Sequence, residues 1–120
     1  MDNESIMEVD NCGNKQWRKN MGLHRLNGPA IEYANGSKEW WQNDRLHRLD
    51  GPAIEYIDGL KEWWKNGILH REDGPAIIFA DGEIKWYLND FYYETKEEYF
   101  DALSYEAKER ALFSQDFLNG

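Results

Sequence analysis

Three passages of the chain are nearly identical: Leu23 to Tyr33 reads LHRLNGPAIEY, Leu46 to Tyr56 reads LHRLDGPAIEY, and Leu69 to Phe79 reads LHREDGPAIIF. They follow one another at an ungapped spacing of 23 residues. A fixed period of this length describes a linear array of one supersecondary unit, since a single unit cannot bury its apolar face and a stack of them can. The lattice runs beyond the three blocks. Asn35-Gly36, Asp58-Gly59 and Asp81-Gly82 align, as do Trp40-Trp41, Trp63-Trp64 and Trp86-Tyr87. Trp17 falls one period earlier, and Cys12-Gly13 aligns with Asn35-Gly36, so residues 5 to 20 form a degenerate half repeat.

Each unit reads as β. Asn-Gly or Asp-Gly between two short runs of alternating apolar and polar residues is a strong hairpin signal, because both central positions of a type I′ turn need positive φ. The paired runs are 30–34 with 37–42, 53–57 with 60–65, and 76–80 with 83–88. A second turn follows at Asn43-Asp44, Asn66-Gly67 and Asn89-Asp90. Gly-Pro-Ala then opens the next hairpin, where proline suits a strand start because it has no amide to donate.

A two-residue turn sets Glu32 opposite Glu39 and Ile31 opposite Trp40. Alternation then gives two faces. One carries Ile31, Tyr33 and Trp40 with their equivalents Ile54, Tyr56, Trp63, Ile77, Phe79 and Trp86, and reads as the core. The other carries Ala30, Glu32, Glu39 and Trp41, then Ala53, Glu55, Glu62 and Trp64, then Ala76, Ile78, Lys85 and Tyr87, acids mixed with exposed rings. A one-residue slip exchanges these sets.

The array ends near residue 94. Thr95-Lys96-Glu97-Glu98 fits a capping box ahead of Tyr99, Phe100 and Leu103 on one helical face, and a second helix starts after Ser104 and runs toward Phe117. Two helices capping the last open unit are expected, touching it where Ile78 and Lys85 replace acids. The expected fold is mainly β, a single-layer antiparallel sheet of hairpin repeats with a two-helix C-terminal cap. Its segments are 1–14, acidic with the degenerate half repeat; 15–94, the repeats; and 95–120, the cap.

Charge divides along the same lines. The net charge is -9. Residues 1–10 carry four acids and no base, residues 11–80 nine acids and ten bases, and residues 81–120 ten acids and four bases. Without a basic face, duplex nucleic acid and anionic lipid are poor partners, because phosphate affinity comes from clustered Lys and Arg. A protein partner with a basic surface remains. The single cysteine, Cys12, excludes an internal disulfide, and the first ten residues lack the basic start and apolar run of a signal peptide. A cytoplasmic protein is expected.

His24, His47 and His70 invite a metal reading, which distance opposes. Two strands per unit separate equivalent residues by about 10 Å, whereas zinc holds its nitrogens at about 2.0–2.1 Å. Each histidine is instead expected to bond its own turn and pack on the neighbouring Trp. No phosphate loop, nucleophile elbow, paired-cysteine or calcium-loop motif occurs, and no His outside the lattice stands ready to activate Cys12. No enzyme activity, cofactor or metal is expected.

The 23-residue hairpin unit, N-D-R-L-H-R-L-D-G-P-A from Asn43 and N-G-I-L-H-R-E-D-G-P-A from Asn66, resembles a variant form of the MORN repeat over roughly residues 15–94. It places Arg after His and Asp-Gly-Pro-Ala where an ordinary MORN repeat has His-Gly. The resemblance implies an elongated sheet that serves as a protein-binding scaffold. Relatives of this form include bacterial antitoxin-like proteins and short reading frames of phages and large DNA viruses. The expectation is a non-catalytic interaction protein, most concretely a phage-encoded inhibitor of a host defence protein such as a nuclease effector. Large rings rimmed by charge are the usual centre of an interface, so the candidate contact residues are Trp41, Trp64, Glu32, Glu39, Glu55 and Glu62 on the sheet and Glu97, Glu98 and Asp101 at the acidic end. The alternatives are single-stranded nucleic acid stacked on the sheet, and a structural or antitoxin-like protein. An exposed sheet edge would also let two chains pair.

Overall fold

The computed structural model describes residues 5–120. β1 (Ile6–Val9) and β2 (Lys15–Lys19) form the opening hairpin, with β3 (Gly22–Leu23) folded back on the end of β2. The first full unit is β4 (Ile31–Glu32), β5 (Lys38–Glu39), β6 (Trp41–Gln42) and β7 (Arg45–Leu46). The second is β8 (Ile54–Glu55), β9 (Lys61–Glu62), β10 (Trp64–Lys65) and β11 (Ile68–Leu69), and the third is β12 (Ile77–Ile78), β13 (Ile84–Leu88) and β14 (Phe91–Tyr93). The main sheet is antiparallel in the order β1-β2-β4-β5-β8-β9-β12-β13-β14, while β6-β7 and β10-β11 are separate two-stranded ribbons. The described residues extend over 46 × 30 × 22 Å.

The two turns of each unit differ in kind. At Asn20-Met21, Asn43-Asp44, Asn66-Gly67 and Asn89-Asp90 both central residues have positive φ, between 50° and 75°, the signature of type I′. At the Asn-Gly step only the glycine is left-handed: Gly36 has φ 97°, its N–H donates to the Tyr33 carbonyl at 2.9 Å, and Tyr33 N–H donates to the Ser37 carbonyl at 2.9 Å. That is a three-residue loop closed by a glycine bulge. The Asn35 Oδ1 accepts from the Ser37 N–H at 2.8 Å, and Asp58 and Asp81 do the same in their units. This side-chain bond fixes the turn type.

The extra loop residue overturns the expected register. Ile31 lies opposite Glu39 and Glu32 opposite Lys38, and the second unit pairs Ile54 with Glu62 and Glu55 with Lys61. Every second-strand residue therefore changes sides. Glu39 joins Ile31, Tyr33 and Trp41, while Trp40 joins Glu32. The like-charge pair of Glu32 and Glu39 does not form; Glu32 meets Lys38 across the hairpin and Lys15 of β2 on its other side.

Units interlock through backbone. Trp40 N–H donates to the Ala53 carbonyl at 2.7 Å, and the Trp40 carbonyl accepts from His47 N–H at 3.0 Å, so this residue joins the main sheet to the ribbon. Ala30, Ala53 and Ala76 are fully buried beneath these crossings.

Three helices follow, one more than expected: α1 (Lys96–Ala102), α2 (Tyr105–Ala111) and α3 (Gln115–Asn119). Thr95 caps α1 by accepting from Glu98 N–H, Ser104 caps α2 and Ser114 caps α3. They enclose the main core of Trp86, Leu88, Tyr99, Leu103, Ala107, Ala111 and Phe117, with Ile84, Tyr93 and Phe100 at its margin. The cap thus covers the face bearing Ile84, Trp86 and Leu88. Ile78, opposite Ile84 in register, shares that side. Lys85 points to the other, its Nζ 5.8 Å from the centre of the Phe79 ring and 5.7 Å from that of Tyr92.

Candidate partner-binding surfaces

Glu39 and Trp41 form a brace on one side of the sheet. The Trp41 indole N–H donates to Glu39 Oε1 at 2.9 Å, and the other oxygen accepts from Tyr33 at 2.9 Å and Tyr56 at 2.5 Å. Glu39 is buried, and three neutral donors from two units surround it. Glu62 repeats the arrangement in part, accepting from the Trp64 indole at 2.8 Å, but Phe79 stands where a third tyrosine hydroxyl would come. Burial chiefly, and then the adjacent Glu39 carboxylate, push the Tyr33 and Tyr56 phenols above their usual range, so both remain donors. Trp41 and Trp64 are half-buried, each with its polar edge committed to this brace.

The opposite side carries a ladder that composition alone does not reveal. The Arg25 guanidinium lies 3.8 Å from the centre of the Trp17 ring, Arg48 lies 3.8 Å from Trp40, and Arg71 lies 3.7 Å from Trp63. In each unit the guanidinium also donates to the proline carbonyl of Gly-Pro-Ala, at 3.0–3.1 Å. The glycine is what admits it: a Cβ on Gly28, Gly51 or Gly74 would stand 2.8 Å from the Cζ of Arg25, Arg48 or Arg71. Arg48 and Arg71 add bonds to Asp50 and Asp73, and Arg25 pairs with Glu32 at 3.2 Å. Glu55 is 3.7 Å from Arg48. Glu32 and Glu55 thus belong to the arginine side, apart from Glu39 and Glu62. Each Arg follows its Trp by eight residues in every unit, the one sequence signal that marks the ladder.

Arginine, therefore, takes the place on Trp expected for histidine. Each imidazole bonds the turn of the following unit: Nδ1 of His24, His47 and His70 accepts from the N–H of Asn43, Asn66 and Asn89 at 3.0 Å. That fixes the neutral tautomer with hydrogen on Nε2. Burial first, and the Lys65 charge second, hold the His47 imidazole below its ordinary value. Among the described residues no group of three or more His, Cys, Asp or Glu side chains could hold a metal ion, and no helix is long and apolar enough to cross a membrane. Cys12 is exposed in the first hairpin turn.

The remaining candidates lie at the helical end. Glu97, Glu98 and Asp101 are exposed on α1, with Glu94 exposed just before it. Glu98 Oε1 accepts from the Thr95 hydroxyl at 3.0 Å, which assigns it to the cap. Glu97 and Asp101 border a cavity of about 240 Å³ with Phe100, Leu112 and Phe117. The structure brings Glu97, Glu98 and Asp101 together and keeps them separate from the Trp–Glu braces.

This geometry defines a class: a β-hairpin repeat protein with a helical end cap. No family model, curated protein or solved structure matches the chain.

Proposed function

We propose that the protein is a non-catalytic protein-binding module, and most concretely a phage-encoded inhibitor that occupies a basic surface of a host defence protein such as a nuclease effector. One observation carries this reading. The recurrent side chains that could do chemistry are spent on the fold, histidines on turns and arginines on tryptophans, while the exposed acids Glu94, Glu97, Glu98 and Asp101 gather on the cap. An acidic patch on a rigid support suits a basic nucleic-acid channel through complementary charge. The resemblance to MORN-like repeats supplies the viral context.

Single-stranded nucleic acid fits less well. Stacking needs open ring faces beside basic side chains, and Trp41 and Trp64 are half-buried with their indole N–H groups tied to Glu39 and Glu62. The test is affinity capture from a bacterial host lysate with wild-type protein and with Glu97→Lys/Asp101→Lys. One protein held at stoichiometric level by wild type and lost by the variant supports the reading. Recovery of nothing by either overturns it.

A further inference from the structure

The cap shows how one Arg–Gly turn is read by a neighbouring helix. Arg71 Nη2 donates to Asp116 Oδ2 at 2.8 Å, and the Ser114 hydroxyl donates to the Asp73 carbonyl at 2.5 Å. Tyr99 adds a hydroxyl that donates to the Arg71 carbonyl at 2.6 Å and accepts from Gly74 N–H at 3.3 Å. Ser114 is also the N-cap of α3, so the turn is met by a helix start reading Ser-Gln-Asp.

The repeat presents that turn again at Arg48 to Gly51. Its guanidinium is already held in place by the Trp40 ring, the Pro52 carbonyl and Asp50, with Glu55 3.7 Å from Nη1. Arg71 has the same ring, proline carbonyl and aspartate around it, Ile78 stands in the repeat position of Glu55, and Asp116 is the second carboxylate, bonded at Nη2. Arg48 Nη2 makes no hydrogen bond among the described residues, and the side chain is 22% exposed where that of Arg71 is 8%. Grooves flank the turn on both sides. A cavity of about 570 Å³ separates it from the first unit, lined by Asn27, Gly28, Trp40 and Leu49 among others. One of about 230 Å³ separates it from the third, bordered by Trp63, Glu72 and Arg110. Leu49 stands 76% exposed beside the turn, an apolar contact surface.

We propose that the Arg48 turn is the docking site for the start of a partner protein's helix carrying Ser or Thr at its N-cap and Asp two residues later. The aspartate pairs with Arg48 Nη2 and the hydroxyl donates to the Asp50 carbonyl, as Asp116 and Ser114 do one unit further on. A guanidinium whose position is fixed beforehand loses little freedom on accepting a carboxylate, which favours affinity. This rests on the reading of the protein as a binding module, and it names a second contact, separate from the acidic cap.

The probe is an acetylated helical peptide beginning Ser-Gln-Asp, titrated into the labelled full chain and followed by amide and arginine side-chain NMR shifts. Saturable shifts at Arg48 and Gly51, at least tenfold weaker with a Ser-Gln-Asn peptide, are expected. No shift at about 1 mM peptide, a binding worth only about 4 kcal/mol, overturns the proposal, as do equal shifts with both peptides or shifts confined to other units. Concentration-dependent shifts at Arg48 without peptide also overturn it, by making a second copy the occupant. The Asn peptide keeps the test independent of whether Arg48 variants fold. Failure here with successful lysate capture leaves the binding module standing on its acidic cap; failed capture alone removes the module reading.

Discussion

Tyr56 reaches back across the boundary between units to hydrogen-bond Glu39 at 2.5 Å, and Tyr33 reaches the same oxygen from within the unit at 2.9 Å. A buried carboxylate satisfied by two phenols and an indole thus joins two repeats. Hydrogen bonds to a charged group are each worth about 1.5–3 kcal/mol. Tyr56→Phe is therefore expected to destabilise the protein by that amount, read as a lower midpoint in urea denaturation at unchanged slope.

The converse substitution is available one unit later. Phe79 holds the position of Tyr33 and Tyr56, and among the described residues the Glu62 carboxylate accepts only from the Trp64 indole. Phe79→Tyr should supply a hydroxyl to Glu62 and stabilise by about 0.5–1.5 kcal/mol. The urea midpoint should rise; a fall would show that Glu62 does not receive it.

Gly51→Ala tests the arginine ladder. The new Cβ meets the Arg48 Cζ at 2.8 Å and pushes the guanidinium off Trp40. Overpacking of this kind costs about 1–3 kcal/mol. In an Arg48→Ala background the same substitution should cost much less, and a double-mutant cycle measures the difference.

His47 makes the fold sensitive to mild acid. Its Nδ1 accepts the Asn66 N–H, and burial with the Lys65 charge lowers its folded pKa below the ordinary 6.5. The unfolded chain takes up the proton first, so the stabilisation is complete above pH 6.5 and is lost as pH falls through the folded value. Thermal midpoints should decline from pH 7.5 to 5 by an amount that shrinks in His47→Asn, whose Oδ1 accepts the same N–H without titrating.

Tyr99 gives the opposite slope at high pH. Burial raises its phenol above 10.0, so its contribution holds below pH 10 and is lost as the pH climbs past it. Tyr99→Phe keeps the ring against Trp86, 4.7 Å away, but leaves the Arg71 carbonyl and Gly74 N–H without their partner. The expected cost is about 1–3 kcal/mol at neutral pH, with a flatter decline between pH 9 and 11 in thermal denaturation.

The period, the β character of the units and the capped helices were legible because each depends on local chemistry: alternation, paired turn residues, and Thr95 or Ser104 ahead of an apolar stripe. Register was not. Asn35-Gly36 serves either a type I′ turn or a three-residue bulged loop, and the Asn35 Oδ1 bond to Ser37 decides between them. That one residue moved Glu39 beside Tyr33 and Trp40 beside Glu32. The role of arginine was hidden for another reason. Arg48 meets a Trp eight residues earlier, a contact made only after the intervening ribbon folds back. The third helix, Gln115–Asn119, is five residues long and too short to show a periodic face.

The histidine bonds give the array a direction. At every junction the earlier unit offers an imidazole nitrogen and the later one supplies the Asn N–H, and the Leu23, Leu46 and Leu69 carbonyls likewise accept from Asp44, Gly67 and Asp90. The stack is therefore polar, with unlike ends. A whole block of 23 residues can be removed from or added to its middle while both ends keep their chemistry, because each junction repeats the last. Such a change would move the acidic cap relative to the β1 edge in fixed steps, making the separation of its surfaces a countable, heritable length.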